Sequence, residues 1–313
     1  MKRDPLIFAA RHGPWVLVAG LCAGLALPSL AGELAPLIPY LVIALMYLAV
    51  LRIGPKSLMG AVSDLPRAAG VALILQLGLP LAVIGAAFAG GWADSPLALA
   101  LVVMAAAPSI ASSPNLCLMM GRSPLYAMGL LVAGTALLPV TIMPVFWLMP
   151  KLGSVDVVLG AALKLFATIA LSVLAAAATR ALFLRRPSPE TFARLDGASA
   201  LVLAVFVVAL MPAVSAAAAS TPLTALAWLG AALCANLGLQ FAFFRLTGPR
   251  TTADVATAIS LIAGNRNMAL FLVALPPDVM APIMVFVGCY QIPMYLTPLV
   301  MRRFYHPRPD KGF

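Results

Sequence analysis

The sequence predicts an all-α integral membrane protein with about ten transmembrane helices in a 5+5 inverted repeat. Hydrophobic residues make up 63% of the 313 positions and charged residues only 10%, whereas a soluble domain carries about 25% charged residues. Apolar stretches of roughly twenty residues recur along the chain, and each is long enough to cross about 30 Å of hydrocarbon. Too few charges are present to cover a water-facing surface, so the fold class is a membrane bundle.

The apolar stretches place the helices in order along the chain. They cover residues 14–31, 35–52, 67–90, 96–120, 124–150, 155–184, 195–219, 222–246, 252–277 and 279–303. The residues before the first helix are basic, but no small-residue cleavage site follows them. We therefore expect a cytoplasmic tail there and not a signal peptide.

The net charge of the chain is +10, and the positions of its basic residues follow the predicted membrane topology. With ten helices in order, 17 of the 20 Lys and Arg residues fall in the tails or in connections on the same side as the tails. On the opposite side Lys151 is accompanied by four acidic residues: Glu33, Asp94, Asp156 and Asp278. The positive-inside rule then predicts cytoplasmic termini in a cell (inner) membrane. The expected surroundings are a lipid bilayer, and nucleic acid is not an expected partner.

Neither the cysteines nor the histidines form a catalytic or metal-binding pattern. The four cysteines lie in apolar segments without CxxC spacing, so we expect small buried side chains; they are Cys22, Cys117, Cys234 and Cys289. The two histidines, His12 and His306, fall in the predicted tails. A zinc site or a Ser-His-Asp triad cannot be assembled from this set. The sequence therefore predicts neither an enzyme nor a resident metal.

Two pairs of short motifs indicate that residues 1–150 and 151–313 are inverted repeats. The third helix contains QLGL over residues 76–79, and the eighth contains NLGL over residues 236–239. The fifth and tenth helices each contain two prolines with four residues between them, at Pro139 and Pro144 and at Pro293 and Pro298. Five helices per half, with both termini on one side, relate the halves by inversion, as in many secondary transporters.

The fourth and ninth helices, which correspond in the two halves, are predicted to be broken near the middle of the membrane. The fourth contains PSIASSP over residues 108–114, and the ninth contains GNRN over residues 264–267. Main-chain groups freed at such depth are tolerated only inside the protein or beside a watery cavity. Breaks of this kind form substrate and ion sites in transporters. A proline kink with structural serines would explain the fourth helix alone, but not the Asn-Arg-Asn of the ninth.

Three stretches of the chain resemble the bile acid:sodium symporter family. They read LQLGLPLAVIG (75–85), APSIASSPNLCLMMGRSPLYAMGLLVAGTALLPVTIMP (107–144) and FFRLTGPRTTADVATAISLIAGNRNMALFLVAL (243–275). The resemblance covers nearly the full length of the chain, which looks like a divergent, bacterial-type member of the family. It implies a core domain of helices 3–5 and 8–10, and a panel domain of helices 1, 2, 6 and 7. It also implies that broken helices 4 and 9 cross beside the substrate cavity.

The residues that bind sodium in this family are changed here. The family pattern Glu-x-Gly-x-Gln-Asn on helix 9 puts Ile262 at the Glu position and Arg266 at the Gln position. Gln76 and Ser112 keep the family residue types, and the other changed positions are Ser113, Tyr126 and Leu130. A sodium site needs oxygen ligands, usually with a carboxylate, so an added guanidinium makes it unfavourable. The ion-site remnant is therefore Gln76, Ser112 and Ile262, and sodium as a cofactor is disfavoured.

The predicted substrate-binding residues lie at or beside the two breaks. They are Arg266, Asn265, Asn267, Ser112, Ser113, Asn115 and Gln291. An alignment shifted by two residues places Asn115, and not Ser113, at the family's Asn position. An arginine at the membrane centre costs about 3 kcal/mol on insertion scales, so Arg266 needs a partner. That partner is either an anionic substrate or main-chain carbonyls at the helix-4 break, and the two roles can alternate.

These observations predict a secondary transporter for a small organic anion, with Arg266 in place of sodium at the helix crossing. One alternative is a sodium-coupled organic anion symporter with a rearranged ion site. Another is a membrane receptor or sensor that keeps the fold without transporting. No cofactor is expected in the first case, and sodium dependence separates it from the second.

Overall fold

The computed structural model describes residues 4–52, 65–149, 152, 154–184 and 187–305. These residues form an all-helical protein, with 87% helix and no strands, so the predicted all-α class is confirmed. The α-helices are α1 (Pro5–Arg11), α2 (Gly13–Ala26), α3 (Pro28–Leu34), α4 (Ile38–Arg52), α5 (Leu65–Leu73), α6 (Leu79–Ala89), α7 (Pro96–Ala106), α8 (Ser113–Met119), α9 (Leu125–Trp147), α10 (Val155–Phe183), α11 (Pro189–Ser220), α12 (Pro222–Thr247), α13 (Ala253–Gly264), α14 (Ala269–Ala274), α15 (Pro277–Met280), α16 (Met284–Val300) and α17 (Arg302–Tyr305). A π-helical turn, Ile74–Gly78, joins α5 to α6, and 3-10 turns lie at Ala35–Leu37, Gly248–Arg250 and Ala281–Ile283.

Seven helical stretches among the described residues are long and apolar enough to cross a membrane. They are Pro28–Arg52, Leu65–Ala89, Leu125–Trp147, Val155–Phe183, Pro189–Ser220, Pro222–Arg250 and Pro277–Val300. The number rises to eight if α1 and the following helix form one bent span. The chain is therefore a multi-pass membrane protein.

The two segments predicted to be broken near their middle each contain two shorter helices. Segment 96–120 holds α7 and α8, and segment 252–277 holds α13 and α14. Ala107 ends α7 in an extended conformation because the residue before a proline, here Pro108, disfavours helical dihedrals. Asn265 ends α13 in an extended conformation as well. The main-chain N–H and C=O groups between the paired helices are therefore available for hydrogen bonds outside a helix.

The sequence placed three helix starts wrongly. The membrane-length stretch that contains the second predicted helix begins at Pro28, after a break at Leu27, and not at residue 35. Residues 5–11 form α1 where a tail was predicted, since Asp4 caps the helix by accepting from the Leu6 N–H at 2.9 Å. Helix α11 begins at Pro189 and not at residue 195, and Ser188 caps it. Its charged first turns pair on the surface, with Arg194 donating to Asp4 at 2.7 Å and to Glu190 at 2.8 Å. Hydropathy alone underestimates the length of a helix whose first turns contain such ion pairs.

Some predictions need correction or fall outside the described residues. Cys22 and Cys234 are exposed and not buried, whereas Cys117 and Cys289 are buried as expected. Cys22 lies on α2, and Cys234 lies on the membrane-length helix α12. The predicted division between the halves at residues 150 and 151 lies outside the described residues. So do eight of the basic residues in the charge pattern: Lys2, Arg3, Lys56, Lys151, Arg185, Arg186, Arg308 and Lys311.

The helices pack as two groups. The first group comprises α1–α4, α10 and α11: α11 packs along α1, α2, α3 and α4, and α10 packs on α4. The second group comprises α5–α9 and α12–α17: α9 packs on α5 and α13, and α12 packs on α13 and α16. The groups touch most where α10 meets α9 and where α11 meets α16, and also where α14 meets α10 and α4 and where α11 meets α12.

Two apolar clusters divide the interior along the helix axes. The larger cluster joins both groups, for example through Val158 and Phe206 of the first group and Phe146 and Phe286 of the second. The smaller cluster surrounds Tyr305, and among the described residues all its members belong to the second group. Ile110 packs against both clusters. The segment that contains Ile110 therefore lies between them.

Helix α1 approaches α11 too closely at Gly197 for any side chain. A Cβ atom at this position would overlap the Leu6 carbonyl. Gly197→Ala should therefore displace α1 and lower the free energy of unfolding by about 1–3 kcal/mol, measured by denaturant unfolding in detergent. The matched control is Gly160→Ala in α10, where the added methyl meets open space and helix propensity favours alanine by about 1 kcal/mol. Equal stability of the two variants would contradict the packing of α1 on α11.

Candidate functional site

Two non-helical segments, residues 107–110 and 265–267, meet in the interior of the second helix group. Ser109 lies opposite Arg266 in an antiparallel bridge. The Asn267 N–H donates to the Pro108 carbonyl at 2.8 Å, and the Ile110 N–H donates to the Asn265 carbonyl at 3.4 Å. Buried main-chain groups need partners, and each segment supplies them to the other. We call this place the crossing.

The guanidinium of Arg266 binds three main-chain carbonyls at the crossing. Its side chain is 1% exposed. Nε donates to Ala263 at 3.1 Å, Nη1 to Ala107 at 3.0 Å and Nη2 to Leu75 at 3.0 Å. Ala263 and Ala107 lie at the ends of α13 and α7, where carbonyls lack helical partners and carry partial negative charge. One cation thus joins two helix ends to the π-helical turn.

Gln76 lies beside the guanidinium with its hydrogen bonding incomplete. Its side chain is 1% exposed, and Nε2 donates to the Gly134 carbonyl at 3.1 Å. Its Oε1 atom has no hydrogen-bond partner among the described residues. Gln76, Ser109, Ile262 and Arg266 line one cavity of about 10 Å³, which is about the least that holds a water molecule. The cation side of the crossing therefore contains an unused oxygen acceptor.

The opposite side of the crossing is a neutral hydrogen-bond network. The Asn236 amide donates to the Gly264 carbonyl and, at 3.2 Å, to Oδ1 of Asn265. Gln240 Nε2 donates to Oδ1 of Asn236 at 2.7 Å and to Oγ1 of Thr297 at 3.0 Å. The Thr297 hydroxyl lies 3.3 Å from Oδ1 of Asn265. Because these amides satisfy one another, α12, α13 and α16 are fixed together.

Gly264 permits this close packing. A Cβ atom there would overlap the carbonyl oxygen of Asn236 and the side chain of Gln240. The Tyr290 hydroxyl also donates to the Gly264 carbonyl. Glycine is therefore required here by the approach of α12 and not by an unusual backbone angle.

The crossing brings together five of the residues singled out from the sequence. Arg266, Asn265, Gln76, Ile262 and Ser113 are all buried there. Ile262 lines the cavity with Gln76 and Arg266. The Ser113 hydroxyl lies 2.7 Å from that of Ser109 and donates to the Ile110 carbonyl at 2.8 Å.

The other four predicted site residues are more exposed than these or lie on another helix. Ser112 and Asn115 are exposed, and Asn267 is partly buried. Gln291 is buried on α16, where Nε2 donates to the Val287 carbonyl at 3.2 Å and Oε1 accepts from Tyr295 at 3.4 Å. Their predicted roles in substrate binding remain predictions.

Sequence reasoning missed the groups that hold Arg266 and Asn265. The carbonyls of Leu75, Ala107 and Ala263 belong to apolar residues and leave no signal in the sequence. Gln240 and Thr297 do leave a signal, since each is a polar side chain within an apolar, membrane-length helix. Polar residues in such positions usually face the bundle interior.

The charge of Arg266 is not paired with a carboxylate among the described residues, since its hydrogen-bond partners are all carbonyls. No group of three or more His, Cys, Asp or Glu residues there could hold a metal ion. The site thus combines one buried cation with neutral donors and acceptors.

No protein-family model matches the sequence, and a search of curated proteins finds no match either. The resemblance to bile acid:sodium symporters therefore depends on the residues of this chain alone.

We expect Arg266→Met to lower the free energy of unfolding by about 3 kcal/mol or more, because three buried carbonyls lose their donors. Denaturant unfolding in detergent measures the change. Lys164→Met is the matched control, since Lys164 is exposed on α10 and its loss should have little effect. Equal losses in the two variants would contradict the capping role of Arg266.

Proposed function

We propose that this protein is a secondary transporter for a small organic anion, similar to the bile acid:sodium symporters, in which Arg266 replaces sodium. The observation that carries the proposal is the buried guanidinium bound to three main-chain carbonyls. Carbonyl and amide oxygens at a helix break are the ligands that transporters use for a coupling cation. A tethered cation in such a place makes transport independent of sodium.

The residues around Arg266 support this replacement. Gln76, Ile262 and Arg266 line one cavity. The resemblance puts Gln76 at the position of a sodium-binding glutamine and Ile262 at the position of a carboxylate. A second cation at this site would meet the charge of Arg266 at close range without a carboxylate to offset it. Sodium binding is therefore unfavourable while Arg266 occupies the carbonyls.

The packing supports a moving-domain mechanism. We propose ten membrane spans in a 5+5 inverted repeat, with the paired helices α7–α8 and α13–α14 as broken spans 4 and 9. The first helix group would be the panel and the second the core. Among the described residues, both groups share an apolar cluster at one end, whereas around Tyr305 the cluster contains core residues alone. Shared packing of the described residues at one end supports alternating access, with the proposed cytoplasmic opening at the Tyr305 end.

The charge of the site favours an anionic substrate. A buried guanidinium without a carboxylate partner attracts a carboxylate or sulfonate, which forms strong charge-assisted hydrogen bonds. Three of the five N–H groups of Arg266 are used on carbonyls, and a guanidinium has five in total. Exposed Ser112 and Asn115, together with Asn267 at the crossing, would supply neutral contacts.

One observation favours a second candidate function, sodium-coupled symport through a rearranged site. The Oε1 atom of Gln76 is a buried acceptor without a partner among the described residues. A small cation bound there would satisfy it, provided that the guanidinium of Arg266 moves away during the cycle.

Thermal stabilisation of the purified protein by a panel of organic anions, with and without sodium, tests these functions. A ligand that binds the folded state raises the melting temperature by mass action. We expect one class of anions to stabilise the wild type equally in sodium and in potassium. Arg266→Gln should lose this response, while Lys164→Gln, the control, should keep it.

Uptake of the stabilising anion into proteoliposomes then separates transport from binding. Accumulation without a sodium gradient is the expected result. Uptake only with sodium, and retained in Arg266→Gln, would favour the sodium-coupled function and contradict the replacement by Arg266. Binding without accumulation would indicate a receptor.

A further inference from the structure

Arg245, Arg302 and Arg303 lie together at one end of the second helix group and have no carboxylate partner among the described residues. Arg245 is in the last turn of α12, and Arg302 and Arg303 begin α17. All three are exposed, and no ion pair joins them to an acidic residue in the described part of the chain. Other arginines do pair with carboxylates: Arg52 with Asp196, Arg122 with Asp254, and Arg194 with Asp4 and Glu190. We call the three unpaired residues the C-terminal basic patch.

Aromatic packing brings the members of the patch together. The Phe304 ring lies between Phe241 and Phe244 of α12, with centroids at 5.4 and 4.8 Å. Phe304 follows Arg302 and Arg303 directly, so these contacts place both arginines beside the end of α12. The Arg245 guanidinium stacks over the Phe241 ring at 4.8 Å, which holds it on the same surface.

The next residue, Tyr305, fixes the position of the patch. Its side chain is completely buried. Arg122 donates two hydrogen bonds to the Tyr305 carbonyl, at 2.8 and 3.2 Å. The Tyr305 hydroxyl donates to Oε1 of Gln240 at 3.1 Å. The main chain that carries Arg302 and Arg303 is therefore held in place, and only their side chains have to be ordered when they bind a ligand.

We propose that the C-terminal basic patch binds the phosphate headgroup of an anionic phospholipid. Three guanidiniums supply the charge and the planar donors that suit phosphate oxygens. Exposed apolar side chains adjoin the patch, with Phe241 48%, Leu299 76% and Val300 53% exposed, and acyl chains would pack on them. The patch lies where two membrane-length stretches, Pro222–Arg250 and Pro277–Val300, end. Each arginine near an anionic membrane surface adds to the attraction for its lipids.

Native mass spectrometry of the full-length protein, titrated with phosphatidylglycerol or phosphatidylcholine, measures this binding. We expect tighter binding of phosphatidylglycerol to the wild type. The double variant Arg302→Gln/Arg303→Gln should bind it about 30-fold more weakly, at about fivefold for each arginine near an anionic headgroup. Arg11→Gln/Arg194→Gln, the control, removes two exposed positive charges from the first helix group and should leave the affinity unchanged.

The remaining outcomes would overturn the proposal. Equal weakening in both double variants would mean that net charge, and not this patch, attracts the lipid. Equal affinity for the two lipids would remove the role of the headgroup charge. If inorganic phosphate raises the melting temperature as much as phosphatidylglycerol does, the patch binds a free anion and not a lipid. The proposal does not depend on the substrate or on the role of Arg266.

Discussion

The binding of the Arg266 guanidinium to three carbonyls is the interaction on which the crossing depends. Helices α7 and α13 end inside an apolar bundle, so their last carbonyls have no water and no helical partner. The guanidinium reaches Ala263, Ala107 and Leu75 at once, which a single neutral side chain could not do. Loss of this charge would leave the ends of both helices unsatisfied in the interior.

The two sides of the crossing satisfy their buried polar groups in different ways. On one side a permanent cation satisfies carbonyls and leaves the Gln76 oxygen unpaired. On the other, Asn236, Gln240 and Asn265 form a closed neutral network. A complete network resists rearrangement, whereas an unpaired acceptor beside a small cavity is where a ligand or a conformational change alters the energy most. On the proposed function, we therefore expect the cation side to change during the transport cycle.

The sequence predicted the general fold well and the site only in part. Composition and the length of the apolar stretches were sufficient to predict an all-helical membrane protein, because both are properties of whole segments. The position of Arg266 in an apolar segment indicated a buried charge with a special role. Its actual partners could not be predicted, since main-chain carbonyls of Leu75, Ala107 and Ala263 carry no residue signature. Helix starts at Pro5 and Pro189 were missed because capping and surface ion pairs, rather than hydropathy, determine them.

Chemical rescue of Arg266→Ala tests most directly whether Arg266 acts as a built-in cation. The melting temperature of the purified variant would be measured with guanidinium, sodium or tetramethylammonium, at equal ionic strength and at concentrations too low to denature. The account predicts that guanidinium and sodium raise the melting temperature of the variant. Tetramethylammonium, which is too large for the carbonyl cluster, should not raise it. The melting temperature of the wild type should respond to none of the three cations. A variant that is indifferent to all three cations would contradict the account.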